Sequence, residues 1–89
     1  MSFKVLLHPK AARFLEKLDT SHKVRITQSL KELEDSPGKG EHLKHSPFRR
    51  LRIGDYRAIY EIDKEANRVI VLFIGHRKDV YDDFSKLLD

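Results

Sequence analysis

Apolar and polar residues alternate with a period of two at the start of the chain, where Phe3, Val5 and Leu7 interleave with Ser2, Lys4 and Leu6. That spacing predicts a strand with Phe3, Val5 and Leu7 on one buried face. The strand stops at His8-Pro9. Proline has no amide hydrogen to lose in the first turn of a helix, and Ala11, Phe14, Leu15 and Leu18 then recur at helical spacing, so a helix with one apolar stripe begins here. Asp19, Thr20 and Ser21 are capping residue types, after which Ile26, Leu30 and Leu33 carry a second stripe up to the breakers Ser36-Pro37-Gly38. The two helices form a hairpin.

Residues 36–47, SPGKGEHLKHSP, have no periodicity and read as a loop with Leu43 as its apolar anchor. Period two then returns. Leu51 and Ile53 alternate with Arg50 and Arg52, Gly54-Asp55 marks a turn, and Tyr56, Ala58, Tyr60 and Ile62 alternate with Arg57, Ile59 and Glu61. After a second turn at Glu65-Ala66-Asn67, the run RVIVLFIG is apolar on both faces, as a central strand covered on both sides would be. Gly75 closes it, and Val80, Phe84 and Leu87 or Leu88 have the spacing of a short terminal helix. The order β-α-α-β-β-β with a helical tail predicts an α+β fold, in which the helical hairpin packs on one face of a small, mainly antiparallel sheet. The opposite face is left partly open.

That open face changes how the charges read. If Leu51 and Ile53 face the helices, Arg50 and Arg52 turn outward, and Arg57 follows on the next strand. Between Lys44 and Arg57 the chain carries Lys44, Arg49, Arg50, Arg52 and Arg57 against Asp55 alone. Such a cluster is either a solvated charged face or a cradle for a polyanion, and arginine's planar fork matches phosphate oxygens as lysine's point charge does not. The formal net charge of +4 and a sequence pI near 9.5 favour an acidic partner.

Composition narrows the classes further. With 89 residues, 39% of them hydrophobic, the chain is expected to form one globular domain spanning residues 1–89. It has no cysteine, which excludes disulfides, thiolate zinc sites and thiol nucleophiles. No signal-like apolar run opens it and no stretch approaches the roughly 18 apolar residues of a membrane span, so a cytoplasmic protein without a membrane partner is expected. Phosphate-loop, dinucleotide and nucleophile-elbow motifs are absent, and no cofactor is implied. His42 and His45 lie three apart but in a loop full of breakers, so no metal site is expected.

The tail GHRKDVYDDF places His76, Arg77 and Tyr81 just beyond the central strand. Cleavage of RNA by its own 2′-hydroxyl needs a base at that oxygen, cations around the phosphorane and an acid at the leaving 5′-oxygen. A histidine titrating near neutrality, or a tyrosine among cations, suits proton transfer, and Arg50, Arg52, Arg57 and Arg77 suit the phosphate. The spacing leaves Tyr81 open between that role and packing beside Val80 and Phe84. It leaves His76 open between that role and a surface position at a turn.

The order of elements, the run RRLRIGDYRAIYEI and the closing VIVLFIGHRKDVY resemble the RelE/ParE superfamily of toxins from prokaryotic toxin-antitoxin pairs over nearly the whole chain. The second segment is more similar to the RelE branch. That resemblance implies a metal-independent endoribonuclease that enters the ribosome and cuts messenger RNA in the A site. It also implies a co-encoded RelB-like antitoxin as partner, beside the ribosome and messenger RNA. By the same resemblance, Arg57 and Arg77 hold the scissile phosphate and Tyr81 activates or orients the 2′-hydroxyl. Arg50 stands where some relatives have lysine; a guanidinium holds its proton too firmly to exchange it, so it suits charge stabilisation rather than proton transfer. Lys44, Arg49, Arg52 and His76 are the expected RNA-binding periphery. Phe48 departs from a second basic position of the family. Two other readings stand beside this one: a ParE-like inhibitor of DNA gyrase that cuts no RNA, and a catalytically idle module that binds RNA or antitoxin.

Overall fold

A computed structural model of the chain describes residues 2–76 and Phe84. Strand β1 (Lys4–Leu7) leads into helices α1 (Pro9–Glu16) and α2 (Thr20–Lys31), then into 3-10 turns at Glu32–Glu34 and Pro37–Lys39. Strands β2 (Glu41–His42), β3 (Phe48–Ile53), β4 (Tyr56–Asp63) and β5 (Arg68–His76) follow. The sheet order is β1-β5-β4-β3-β2, with β1 parallel to β5 and every other pair antiparallel. The predicted α+β layout therefore holds: both helices lie on one face, α1 against β5 and α2 against β3.

Local chemistry accounts for the boundaries. His8 caps α1, its Nδ1 accepting the Lys10 amide at 3.2 Å, and Pro9 opens the first turn. Asp19 occupies the cap position of α2, but its carboxylate receives the Ser21 hydroxyl and the His22 ring rather than a backbone amide. The α2 stripe runs on past the helix proper, because residues 32–34 tighten into a 3-10 turn that buries Leu33 completely. Gly54, at φ 59, is the first central residue of the two-residue β3–β4 turn, a conformation that favours glycine.

The main core joins Ala11, Ile26, Leu30 and Leu33 from the helical layer to Leu51, Ile53, Ala58, Tyr60, Val69, Val71 and Ile74 from the sheet. Leu7, expected in it, is instead 38% exposed: β1 is an edge strand, and Leu7 lines a groove of about 380 Å³ with Val5, Leu15 and Leu30. Residues 36–47 are also more ordered than a loop reading implied. The buried Tyr60 hydroxyl donates to the Pro37 carbonyl at 2.7 Å and accepts the Gly40 amide at 2.8 Å, and Glu41–His42 pair with β3. A two-residue strand has too few alternating positions to leave a periodic signal.

The far face of the sheet is only partly open. Ile59 is buried there with Phe84, and Leu43, Phe48, Leu72 and Phe73 pack against them; Phe84 meets Phe48 edge to face at 5.1 Å. Leu43 is thus the anchor expected of it. Of the predicted terminal helix, all but Phe84 lies outside the described residues.

Candidate nucleic-acid interface

Register decides which basic residues share the face away from the helices. Leu51 and Ile53 belong to the main core, so Arg50 and Arg52 project from the other side of β3. Across β4, Arg50 is paired with Ile59 and Arg52 with Arg57, and Arg57 is paired in turn with Gly75 on β5, which presents no side chain. Arg50, Arg52 and Arg57 therefore gather on one surface beside the Ile59–Phe84 cluster, as the alternation predicted.

Each of the three sits in a different setting. Arg52 is exposed. Arg57 is half-buried, and its Nη1 donates to the Gly54 and Tyr56 carbonyls at 2.9 Å each, which holds the guanidinium over the β3–β4 turn. Arg50 meets Glu41, its register partner on β2, with Nη2 at 3.1 Å from Oε2. Lys44 stands exposed at the tip of the β2–β3 hairpin, next to His45 at φ 61. That tip is braced from within, because Ser46 Oγ donates to the Leu43 carbonyl at 2.9 Å and His42 Nε2 lies 2.8 Å from the Ser46 carbonyl.

Two residues expected on this surface lie elsewhere. Arg49 is paired with Tyr60, a main-core residue, and so points to the helical side, where its Nη1 donates to the Gly40 carbonyl at 2.8 Å. It fastens a loop. His76 is paired with Tyr56, whose ring packs against Phe14 and His22 on the helical side, and the His76 ring meets Tyr56 at 6.0 Å. The cause is a bulge: Ile59 pairs with Phe73 and Tyr60 with Val71, leaving Leu72 as an extra residue in β5. Beyond it the alternation is inverted, so Ile74 enters the main core and Phe73 joins Phe84. Arg77 and Tyr81 lie outside the described residues.

Sequence reading missed Glu41 as a member of this surface. A carboxylate inside an aperiodic loop carries no facing signal, and its place comes from the β2–β3 register alone. Phe48, read as a departure from a basic position, has a structural reason to be aromatic in its contact with Phe84.

Comparison with known proteins agrees with this architecture. Residues 5–81 match the family model described as the ParE toxin of the type II toxin-antitoxin system parDE. The chain belongs to that toxin family, within the RelE/ParE superfamily. Its fold is similar to a chain of the RelBE2 toxin-antitoxin complex of Mycobacterium tuberculosis, at 27% identity and a TM-score of 0.80, covering 86% of this chain and 100% of that one. A chain of the archaeal RelE–RelB complex of Pyrococcus horikoshii matches at 26% identity and a TM-score of 0.76, covering 88% and 98%. A mutant of Escherichia coli RelE in the free state shares the fold at 21% identity and a TM-score of 0.79, covering both chains in full. No curated protein matches the chain.

Proposed function

We propose that this toxin is an endoribonuclease that cuts messenger RNA in the ribosomal A site through attack of the RNA's own 2′-hydroxyl, in the cytoplasm. The observation that carries the reading is the gathering of Arg50, Arg52 and Arg57 on the sheet face away from the helices. In the proposed step the 2′-oxygen attacks phosphorus and gives its proton to a base, the bond to the 5′-oxygen breaks, and that oxygen takes a proton. The products are a 2′,3′-cyclic phosphate and a free 5′-hydroxyl. Preorganised guanidinium groups stabilise the extra negative charge of the phosphorane. Arg57 suits this task, because the Gly54 and Tyr56 carbonyls fix its orientation before RNA arrives. Arg50 and Arg52 stabilise charge rather than move protons. The resemblance assigns phosphate holding to Arg77 as well and the 2′-hydroxyl to Tyr81.

Two of the solved relatives come from toxin-antitoxin complexes, RelBE2 and RelE–RelB, which supports a RelB-like antitoxin as the partner of this chain. An acidic segment complements the basic face. A second reading, inhibition of DNA gyrase without RNA cleavage, draws support from the family model, whose description names the ParE toxin.

Primer extension on programmed ribosomes, with Arg77→Ala as control, tests the proposal. Cuts within the A-site codon that vanish in the control are expected. Absence of cuts together with gyrase inhibition moves the protein to the second reading.

A further inference from the structure

The arginine face holds a carboxylate in direct contact with one of its cations. Glu41 and Arg50 are register partners, so both side chains leave the sheet on the same side, and the Arg50 guanidinium donates to Glu41 Oε2 at 3.1 Å. The backbone around Glu41 is fastened at both ends. On one side the Gly40 carbonyl takes Arg49 Nη1 at 2.8 Å and the Gly40 amide binds the Tyr60 hydroxyl at 2.8 Å; on the other the Leu43 amide donates to the Phe48 carbonyl at 2.9 Å. The side chain itself is 71% exposed. A positioned, solvent-facing carboxylate thus sits against a guanidinium on the face that Arg52 and Arg57 share.

Carboxylate and phosphate offer a guanidinium the same kind of paired oxygen acceptors, so the two anions compete for one fork. We propose that Glu41 is a competitor for phosphate built into the binding face: its carboxylate occupies Arg50 in the free protein, and RNA gains Arg50 only by displacing it. This rests on the reading of Arg50 as a phosphate-binding residue. An exposed ion pair is weak and therefore displaceable, yet the displaced carboxylate still repels the arriving phosphate. RNA that brings only backbone phosphates is held back, whereas RNA positioned by additional contacts overcomes the competitor. Glu41 thereby sets selectivity by opposing the wrong ligand rather than by attracting the right one.

The test is binding of a short, fluorescently labelled oligoribonucleotide, 2′-O-methylated so that it cannot be cleaved, read by anisotropy at one fixed salt concentration. Wild type, Glu41→Gln, Arg50→Ala and the double variant are compared, each first checked for an unchanged melting curve. Glu41→Gln is expected to bind about 3- to 10-fold more tightly, the scale of a weak ion pair plus one nearby repulsion. In the Arg50→Ala background that gain is expected to fall below about twofold, because the carboxylate no longer has a guanidinium to occupy. Unchanged affinity in Glu41→Gln overturns the proposal, and so does an equal gain in both backgrounds, which makes Glu41 a diffuse negative charge. Lost cleavage on programmed ribosomes at unchanged RNA affinity also overturns it and moves Glu41 into proton transfer. If Arg50→Ala leaves affinity unchanged, the phosphate-binding reading of Arg50 fails and takes the competitor with it.

Discussion

Arg52 on β3 stands directly across from Arg57 on β4, on the face of the sheet that the helices leave uncovered. Like charges at directly opposed sheet positions destabilise one another, and an anion placed between them reverses that sign. Because Arg52 is exposed, Arg52→Ala is expected to change stability by less than about 0.5 kcal/mol. It should weaken RNA binding uniformly across sequences and lower the slope of log affinity against log salt by about one. A salt titration of wild type and variant measures both, and an unchanged slope removes Arg52 from the phosphate contacts.

Arg57 separates charge from geometry. Arg57→Lys keeps the positive charge but not the planar guanidinium, whose Nη1 donates to the Gly54 and Tyr56 carbonyls. Single-turnover cleavage is expected to fall by about 2 to 4 kcal/mol of transition-state stabilisation, the scale for one preorganised donor. Full activity in Arg57→Lys would show that charge alone suffices.

The phenol of Tyr60 organises the loop that carries Glu41. Burial pushes its pKa above the ordinary range, and its oxygen bridges Pro37 and Gly40. Tyr60→Phe leaves the Pro37 carbonyl and the Gly40 amide without that partner, and a loss of about 1 to 3 kcal/mol is expected in urea unfolding. Gly40→Ala is expected to destabilise as well, since a Cβ there would lie 2.7 Å from the Tyr60 hydroxyl and 2.9 Å from the Arg50 carbonyl. The glycine effect should shrink only in part when Tyr60 is already phenylalanine, because the hydroxyl contact is removed while the ring Cε1 still lies 2.8 Å from that Cβ.

Phe84 is 5% exposed and packs edge to face on Phe48 and, tilted, on Phe73 at 6.3 Å. Phe84→Ala removes both ring contacts and exposes Ile59, so thermal unfolding should report a loss of about 3 to 5 kcal/mol. A far smaller loss would mean that the second cluster contributes little.

Acid should weaken the start of α2. Hydrogen bonds from His22 and then Ser21 hold the Asp19 carboxyl below its ordinary value of 3.8. A carboxylate depressed in the folded state contributes stability that is fully present above that ordinary value and is lost as pH falls through the lower folded one. Asp19→Asn is therefore expected to flatten the acid limb of a stability-against-pH curve below about pH 4 and to leave its neutral region nearly parallel to wild type. An unchanged acid limb would assign acid sensitivity to other groups, such as Asp63, which Arg68 holds low in the same way.

The sequence alone determined the elements and their facing wherever one periodicity ran without interruption. The stripes of α1 and α2, the alternation of β3 and β4 and the turn at Gly54 follow from short-range sterics and from burial of one face, so spacing suffices to put Arg50, Arg52 and Arg57 on one side of the sheet. The tertiary structure decided what depends on pairing between distant strands. One bulged residue, Leu72, inverts the phase of β5 and carries His76 to the helical side, and no local pattern marks a bulge whose partner lies on another strand. Arg49 obeys the alternation and faces the helical side, whereas a count of charges ignores parity and groups it with its neighbours. Glu41 joined the arginine face only because β2 pairs with β3, and Leu7 left the core only because β1 lies at an edge. In each case a sheet position takes its environment from its neighbours across the hydrogen-bonding direction, and those neighbours are remote in the chain.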